Sequence, residues 1–420
     1  MIDTQIGYGY NDLTIIPARY SDISSRSECN VYYENNKLPI FVSPMNTVIN
    51  EHNIHIWENN NFNWIVPTTV DYQKRLNYLH NGDWVAYSLA EFIELFCIES
   101  NSCKLTAEYK VLIDNANGHM LALYKNVNLA KQYAEKYNYK LTIMIGNIAN
   151  PETYEYICKK VKCDYVRVGI GGGAGCLTST NTGIHYPMAS LIDECKKVKD
   201  HIYICNDLEH KETGNLYYGY TKGKYQSKEY YLSRPKIIAD GGIRGYADVI
   251  KALALGADYV MIGGLFSSLL ESAADTNVKD PYTIKRNKSQ FVYAIQNESN
   301  EEEISEKDIN GTYIDIWANT ETEDNKRQFI KYCVNIEKRF YGMSTKEAQK
   351  ARNPNTTKLK TSEGCYKTYK VTHTVNQWTE NMIDFLKSAM SYCNCKTLGV
   401  FIGRVTLKVN SSAEILAVNK

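Results

Sequence analysis

KIIADGGIRGYADVIKALALGADYVMIGG, residues 236–264, carries the repeating unit of the chain. KIIAD (236–240) is a short run rich in β-branched residues, the pattern of a strand buried on both faces. Gly241 and Gly242 follow, where the backbone turns sharply and exposes its N–H groups. YADVIKALAL then places apolar residues at helical spacing and is stopped by Gly256. YVMIGG (259–264) returns to a strand and ends on a second glycine pair. Strand, glycine turn, helix and strand make a βαβ unit, the building block of a parallel sheet.

Working outward, similar apolar runs recur. They are LPIFVS (38–43), NWIVPT (63–68), WVAYSL (84–89), YKVLID (109–114), KLTIMIG (140–146) and YVRVGI (165–170). Helical stretches separate several of them, such as ALYKNVNLAKQYAEKYN and PETYEYICKKV, the latter entered through Asn150-Pro151 as N-cap and first helical residue. Eight strands with helices between them predict a single (β/α)8 TIM barrel spanning 1–420. A doubly wound open sheet would want G-x-G-x-x-G directly after an early strand, and the early strands lack it. Two stretches break the rhythm and read as insertions. Residues 206–233 are polar and rich in Gly and Tyr; residues 272–335 hold NESNEEEISEKD and a strand-like TYIDIWA. The helical TENMIDFLKSAMSY near the end is expected to pack on the barrel.

Composition narrows the function. With 48 basic and 47 acidic residues the net charge is +1, so a general nucleic-acid binder is not expected. A mean hydropathy of −0.41 and the lack of any run of about 18 apolar residues predict no membrane span. The opening MIDTQIGYGYNDL has no secretory pattern, so the expectation is a cytoplasmic protein with reduced thiols. None of its 12 cysteines forms a C-x-x-C metal motif. The 34 tyrosines against 10 phenylalanines read as compositional drift, because stacking platforms for bases would need Tyr set among basic residues on one face.

In a barrel of this kind, chemistry sits on the loops after the C-terminal strand ends. VGIGGGAGCLTSTNTGIHYP (168–187) follows the sixth strand. Gly169, Gly171, Gly172, Gly173 and Gly175 free its backbone, and Cys176 with Thr178 offers a nucleophile on a polar loop. Gly241, Gly242, Gly263 and Gly264, after strands seven and eight, form the usual phosphate site of such barrels, with Asp240 placed for a ribose diol. FYGMSTKEAQKARNPNTTKLKTSEG (340–364) carries Glu363, a carboxylate able to hold a proton. Lesser candidates are Ser43-Pro44-Met45-Asn46-Thr47 and Asp114-Asn115-Ala116-Asn117-Gly118.

Taken in order, these motifs resemble the IMP dehydrogenase and GMP reductase family. The resemblance runs through YNDLTIIPARYSDISSRSE, SPMNTV, IDNANG, GNIANPE, VGIG-x-G-x-x-C-x-T, ADGGI, VMIGG, YGMS and SEG, over roughly 300 residues. The stretch 340–364 resembles the family's mobile flap and has no Arg-Tyr pair. There is also no room between Thr68 and Trp84 for the dehydrogenase's regulatory domains, so the chain looks closest to the reductases. SPM after the first strand is the feature more typical of the dehydrogenase. The alternatives are a dehydrogenase without regulatory domains, an FMN-dependent oxidase barrel, and an inactive purine-nucleotide-binding relative.

The resemblance implies NADPH-dependent reductive deamination of GMP to IMP and ammonia, in a homotetramer. Cys176 would attack the purine, with Thr178 and Glu363 moving protons. Asp240, Gly241, Gly242, Gly263 and Gly264 would hold ribose and phosphate; Gly342, Met343, Ser362 and Gly364 would border the base. Asp114, Ala116, Asn117 and Gly171 would face the nicotinamide, and the carbonyls of Gly171, Gly173 and Cys176 would hold a monovalent cation such as K+. The chain departs from the family pattern at Asn46, Ala174 and Ser179 and in PTTVDYQKR, where Lys74 and Arg75 are displaced. These departures bear on phosphate affinity and on the choice between NADPH and NADH.

Overall fold

A computed structural model describes residues 6–211, 234–278, 313–318, 328–333, 336–352, 359, 361–362, 364–411 and 414. Its strands are β1 (Leu13–Ile15), β2 (Ile40–Val42), β3 (Trp84–Tyr87), β4 (Glu108–Ile113), β5 (Lys140–Ile148), β6 (Tyr165–Val168) and β7 (Lys236–Asp240). They continue with β8 (Tyr259–Ile262), β9 (Asp275–Val278), β10 (Tyr313–Ala318), β11 (Gln328–Cys333), β12 (Ile336–Tyr341), β13 (Tyr366–Lys370) and β14 (Leu407–Val409). Seven strands form one parallel sheet in the order β2-β8-β7-β6-β5-β4-β3. That order curls round on itself, as the predicted barrel requires.

The ring closes through residues 63–66. Val42 N–H donates to the Asn63 carbonyl (2.8 Å), and Val66 N–H donates to the Trp84 carbonyl (2.9 Å). NWIVPT is therefore not the strand ladder expected from its sequence but two single bridges, Phe41 to Asn63 and Val66 to Val85. Asn61 sits in a left-handed turn just before it (φ 59°), and Pro67 just after it has no N–H to give. Asn63 N–H also donates to the Ile40 carbonyl (3.0 Å) and Ala86 N–H to the Val66 carbonyl (2.9 Å), but the segment is too short to extend either bridge into a ladder.

Local signals in the sequence set the helix ends. The Asn150 side chain accepts from Glu152 N–H (2.7 Å), capping Pro151–Lys160. Helix Tyr246–Leu255 stops at Gly256, whose φ of +114° suits a residue without a Cβ. Thr374 and Gln377 cap each other's N–H groups at the start of Val375–Tyr392. Trp378 of that helix stacks on Tyr246 and meets Phe62 and Phe266, which docks the C-terminal region on the barrel wall.

The barrel interior is filled by Phe41, Ile65, Ala86, Leu112, Met144, Ile238, Tyr259 and Met261. At its N-terminal mouth the Lys236 ammonium lies over the rings of Tyr33, Tyr165 and Tyr259 and pairs with Glu34. That end is plugged, so ligand access belongs to the opposite mouth.

Among the described residues, neither insertion adds a strand to the seven-stranded sheet. Helix Met188–Lys211 runs into the start of the stretch 206–233, and residues 212–233 lie outside the described residues. In the second, β10 and β11 pair as an antiparallel hairpin, and β9 joins a three-stranded sheet ordered β13-β12-β9. This small sheet carries the flap. Lys338 of β12 donates to the carbonyls of Ser272 (3.1 Å) and Ala274 (3.3 Å) and to Thr276 Oγ1 (2.8 Å), tying the flap strand to the chain that leaves β8. Burial holds the Lys338 pKa down, at about 8, against the opposing pull of Glu271 and Asp275. Among the described residues no helix is long and apolar enough to cross a membrane.

Candidate active site

Strand parity decides what faces the open mouth. Side chains two apart on a strand share a face. Leu112, Tyr165 and Ile238 point into the barrel, so Asp114, Arg167 and Asp240 come next on the same face, one layer higher. They meet there. Arg167 Nε donates to Asp240 Oδ2 (2.9 Å), a terminal nitrogen lies 2.8 Å from the same oxygen, and the other reaches Asp114 Oδ1 (3.3 Å). Asn147 Nδ2 adds a third contact to Asp240 Oδ2 (2.8 Å). Burial works against the guanidinium's charge, but the Asp240 and Asp114 carboxylates outweigh it and its pKa is raised. Arg167 and Asn147 were missed in the sequence. The signal for Arg167 was visible: a lone charge inside the apolar run YVRVGI, at the parity of the interior.

Three glycine loops close over this floor. Gly242 N–H donates to the Gly172 carbonyl at 2.9 Å. A Cβ on Gly241 would lie 3.3 Å from Gly173 N, and one on Gly264 only 2.7 Å from the Ala174 Cβ. The loops after β6, β7 and β8 thus touch, bringing together the residues expected to hold phosphate and those around Cys176. Gly263 approaches Met45 in the same way, so the loop after β2 joins the cluster.

Cys176 and Thr178 are adjacent in space as well as in sequence: Cys176 Sγ donates to Thr178 Oγ1 at 3.2 Å. The thiol is half-buried, and the short helix Thr178–Thr182 begins at its partner. The carbonyls expected to hold a cation have internal donors. Ser179 Oγ donates to the Gly171 carbonyl (3.0 Å) and Cys176 N–H to the Gly173 carbonyl (3.0 Å), which leaves each of these oxygens one further lone pair.

The flap is stitched to this loop. Cys176 forms an antiparallel bridge with Gly364, Cys365 N–H donates to the Gly175 carbonyl (3.1 Å), and Gly342 N–H donates to the Cys365 carbonyl (3.2 Å). Ser362 Oγ donates to the Gly364 carbonyl (2.9 Å), and Met343 sits half-buried in the turn beyond Gly342. Glu363 lies outside the described residues. Asn46 Nδ2 donates to the Tyr341 hydroxyl (2.8 Å). A carboxylate at 46 could only accept there, so the amide gives the loop after β2 a donor toward the flap.

A Cβ on Gly342 would overlap the Gly175 carbonyl oxygen, so the close approach of flap and loop requires glycine there. Gly342→Ala is expected to destabilise flap docking by about 1–3 kcal/mol. Faster amide exchange confined to β12, β13 and the 169–176 loop would show it; unchanged exchange would refute the contact.

On the expected nicotinamide side, Asp114 is engaged by Arg167 as above, while Ala116 and Asn117 are exposed in the loop after β4. Asn117 Oδ1 accepts from His119 N–H (3.0 Å) and holds that loop in shape. The basic pair of PTTVDYQKR is committed elsewhere. Lys74 pairs with Glu51 at 2.8 Å, and Arg75 is buried against Glu91 at 2.6 Å and the carbonyls of Val70 and Ala86.

Residues 105–218 and 225–309 match the model of the IMP dehydrogenase / GMP reductase domain. Among curated relatives, the GMP reductases of Bacillus thuringiensis subsp. konkukian (strain 97-27) and Clostridium acetobutylicum are each 29% identical over 290 residues, covering 65% of this chain and 74% of theirs. The GMP reductase of Bacillus subtilis (strain 168) is 28% identical over 285 residues, with the same coverage.

Proposed function

The chain belongs to the IMP dehydrogenase / GMP reductase family, and from that premise we propose that it is a reductase that converts GMP to IMP and ammonia at the expense of NADPH. The observation that carries the reading is the Cys176–Thr178 contact on a glycine loop held between the loops after β7 and β8 and the flap.

Covalent catalysis fits this arrangement. Cys176 Sγ, as thiolate, bonds to the purine C2. Proton transfer to the exocyclic nitrogen, assisted by Thr178 and Glu363, lets the C2–N bond break and ammonia leave. When bound, the reduced nicotinamide supplies the hydride that C2 accepts. The C2–S bond then breaks and returns the thiolate. Asp240 is suited to the ribose because Arg167 and Asn147 engage only its Oδ2, leaving Oδ1 to accept from a hydroxyl. Gly241, Gly263 and Gly264 supply backbone to the phosphate, while the Gly242 N–H must first leave the Gly172 carbonyl. Gly342, Met343, Ser362 and Gly364 border the base; Ala116, Asn117 and Gly171 lie toward the nicotinamide.

Mixing the purified protein with GMP and NADPH should consume NADPH and release ammonia in equal amounts. GMP binding with neither product would defeat the enzyme reading, and reduction of NAD by IMP would assign the dehydrogenase instead. NADPH is named from the reductase branch of the family; since Lys74 and Arg75 are both paired internally, NADH belongs in the same assay.

A further inference from the structure

The flap brings a second thiol to the Cys176 loop. Cys176 is bridged to Gly364, and the next flap residue, Cys365, is held by its N–H on the Gly175 carbonyl at 3.1 Å. The two cysteines therefore occupy neighbouring positions on facing antiparallel backbones. Opposed Cα atoms in such a pair are ~4.5–5.5 Å apart, and one step along a strand is ~3.3 Å, which puts these two Cα atoms roughly 6 Å apart. Disulfides span about 4.4–6.8 Å between Cα atoms. Both thiols are free, and they face different acceptors: Cys176 Sγ toward Thr178 Oγ1, Cys365 Sγ toward the Ala174 carbonyl at 3.6 Å. Neighbouring side chains on such backbones leave opposite faces, so joining the two sulfurs requires the flap backbone at 364–365 to shift against the loop. The purine chemistry gives Cys365 no task.

We infer that Cys365 is a resolving thiol for Cys176, so that peroxide stress locks the flap onto the catalytic loop in a reversible disulfide. A hydroperoxide transfers one oxygen to the Cys176 thiolate, giving a sulfenic acid and releasing an alcohol or water. The Cys365 thiolate attacks that sulfur, the S–O bond breaks, and water leaves with the second proton. Two thiols lose two electrons in total, and the peroxide gains them. The disulfide protects Cys176 from the irreversible sulfinic acid while it holds the site shut. The loss of activity rests on the reading of Cys176 as the nucleophile; the thiol chemistry does not.

The test treats the full chain with hydrogen peroxide, caps free thiols and maps tryptic peptides. The wild type should yield peptide 168–196 joined to peptide 361–367 through Cys176, with Cys195 capped and dithiothreitol restoring both thiols. In Cys365→Ser the joined peptide should vanish, and Cys176 should gain two or three oxygens at least about tenfold sooner. Cys176→Ser should leave Cys365 capped and unoxidised. Equal rates of irreversible oxidation in wild type and Cys365→Ser, or a wild type in which Cys365 joins no partner or a different cysteine, would overturn the inference. The wild-type map decides the matter even if a variant folds poorly. Linked peptides from a protein that turns over no GMP would sink the reductase reading alone; turnover without linkage would sink this one alone.

Discussion

Cys176→Ser should abolish turnover of GMP while leaving nucleotide binding near the wild-type level. A serine hydroxyl is not ionised near neutral pH and is a far weaker nucleophile than a thiolate, so the covalent step fails while the pocket keeps its shape. Losses of ~10³-fold or more are normal when the nucleophile of a covalent mechanism is removed. The substitution exchanges one atom of a half-buried side chain, and the 3.2 Å contact with Thr178 can be made by a hydroxyl as well. Stability should therefore move by no more than about 0.5 kcal/mol. Retained binding by titration calorimetry, together with lost NADPH consumption, is the expected pair of results. A variant that still turns over would place the chemistry on another group.

Arg167→Leu should be among the most destabilising single changes in the molecule, at about 3–5 kcal/mol. The guanidinium is the cation that Asp114 and Asp240 share at the top of the barrel, and its side chain is only 10% exposed. Leucine leaves two carboxylates crowded together in a site with little water. Asp240→Asn alone removes one of them and should be milder. Combining Asp240→Asn with Arg167→Leu should recover part of the loss, because one unpaired charge disappears. Urea unfolding midpoints of the two single variants and the double variant measure this coupling. Strict additivity would mean that Arg167 and Asp240 do not support each other.

The parts of this fold that were readable share a physical origin. Strand runs, the Asn150-Pro151 cap and the Gly256 stop are all written within a few neighbouring residues. The Cys176–Thr178 pair was readable for the same reason. What could not be read depends on chain segments far apart. No local signal says that Gly264 abuts Ala174 or that Gly342 abuts Gly175, because each contact joins loops from different strands. NWIVPT has the composition of a strand, and only its flanking turn and proline limit it to two bridges. Arg167 lay between the two cases: its oddness was local, but its partners sit just after β4 and on β7. The number of tyrosines did not say where they would sit. Tyr124 and Tyr154 are core residues whose hydroxyls donate to the Gly118 and Pro235 carbonyls, both at 2.6 Å. A buried tyrosine usually finds such an acceptor, and only the folded chain shows which one it is.

The charged floor has a consequence for how this chain can change over time. Arg167 and Asp240 stand within β6 and β7, Asp114 directly follows β4, and each of these three strands has a ladder on both sides. The long additions leave the framework elsewhere, after the helix that follows β6 and after β8. Lengthening either one leaves unaltered the strands β4, β6 and β7 that set the spacing of Asp114, Arg167 and Asp240. A lineage can therefore gain or lose whole segments here without renegotiating the geometry on which the ribose would rest. The barrel keeps its tolerance for novelty and its intolerance of error in different places.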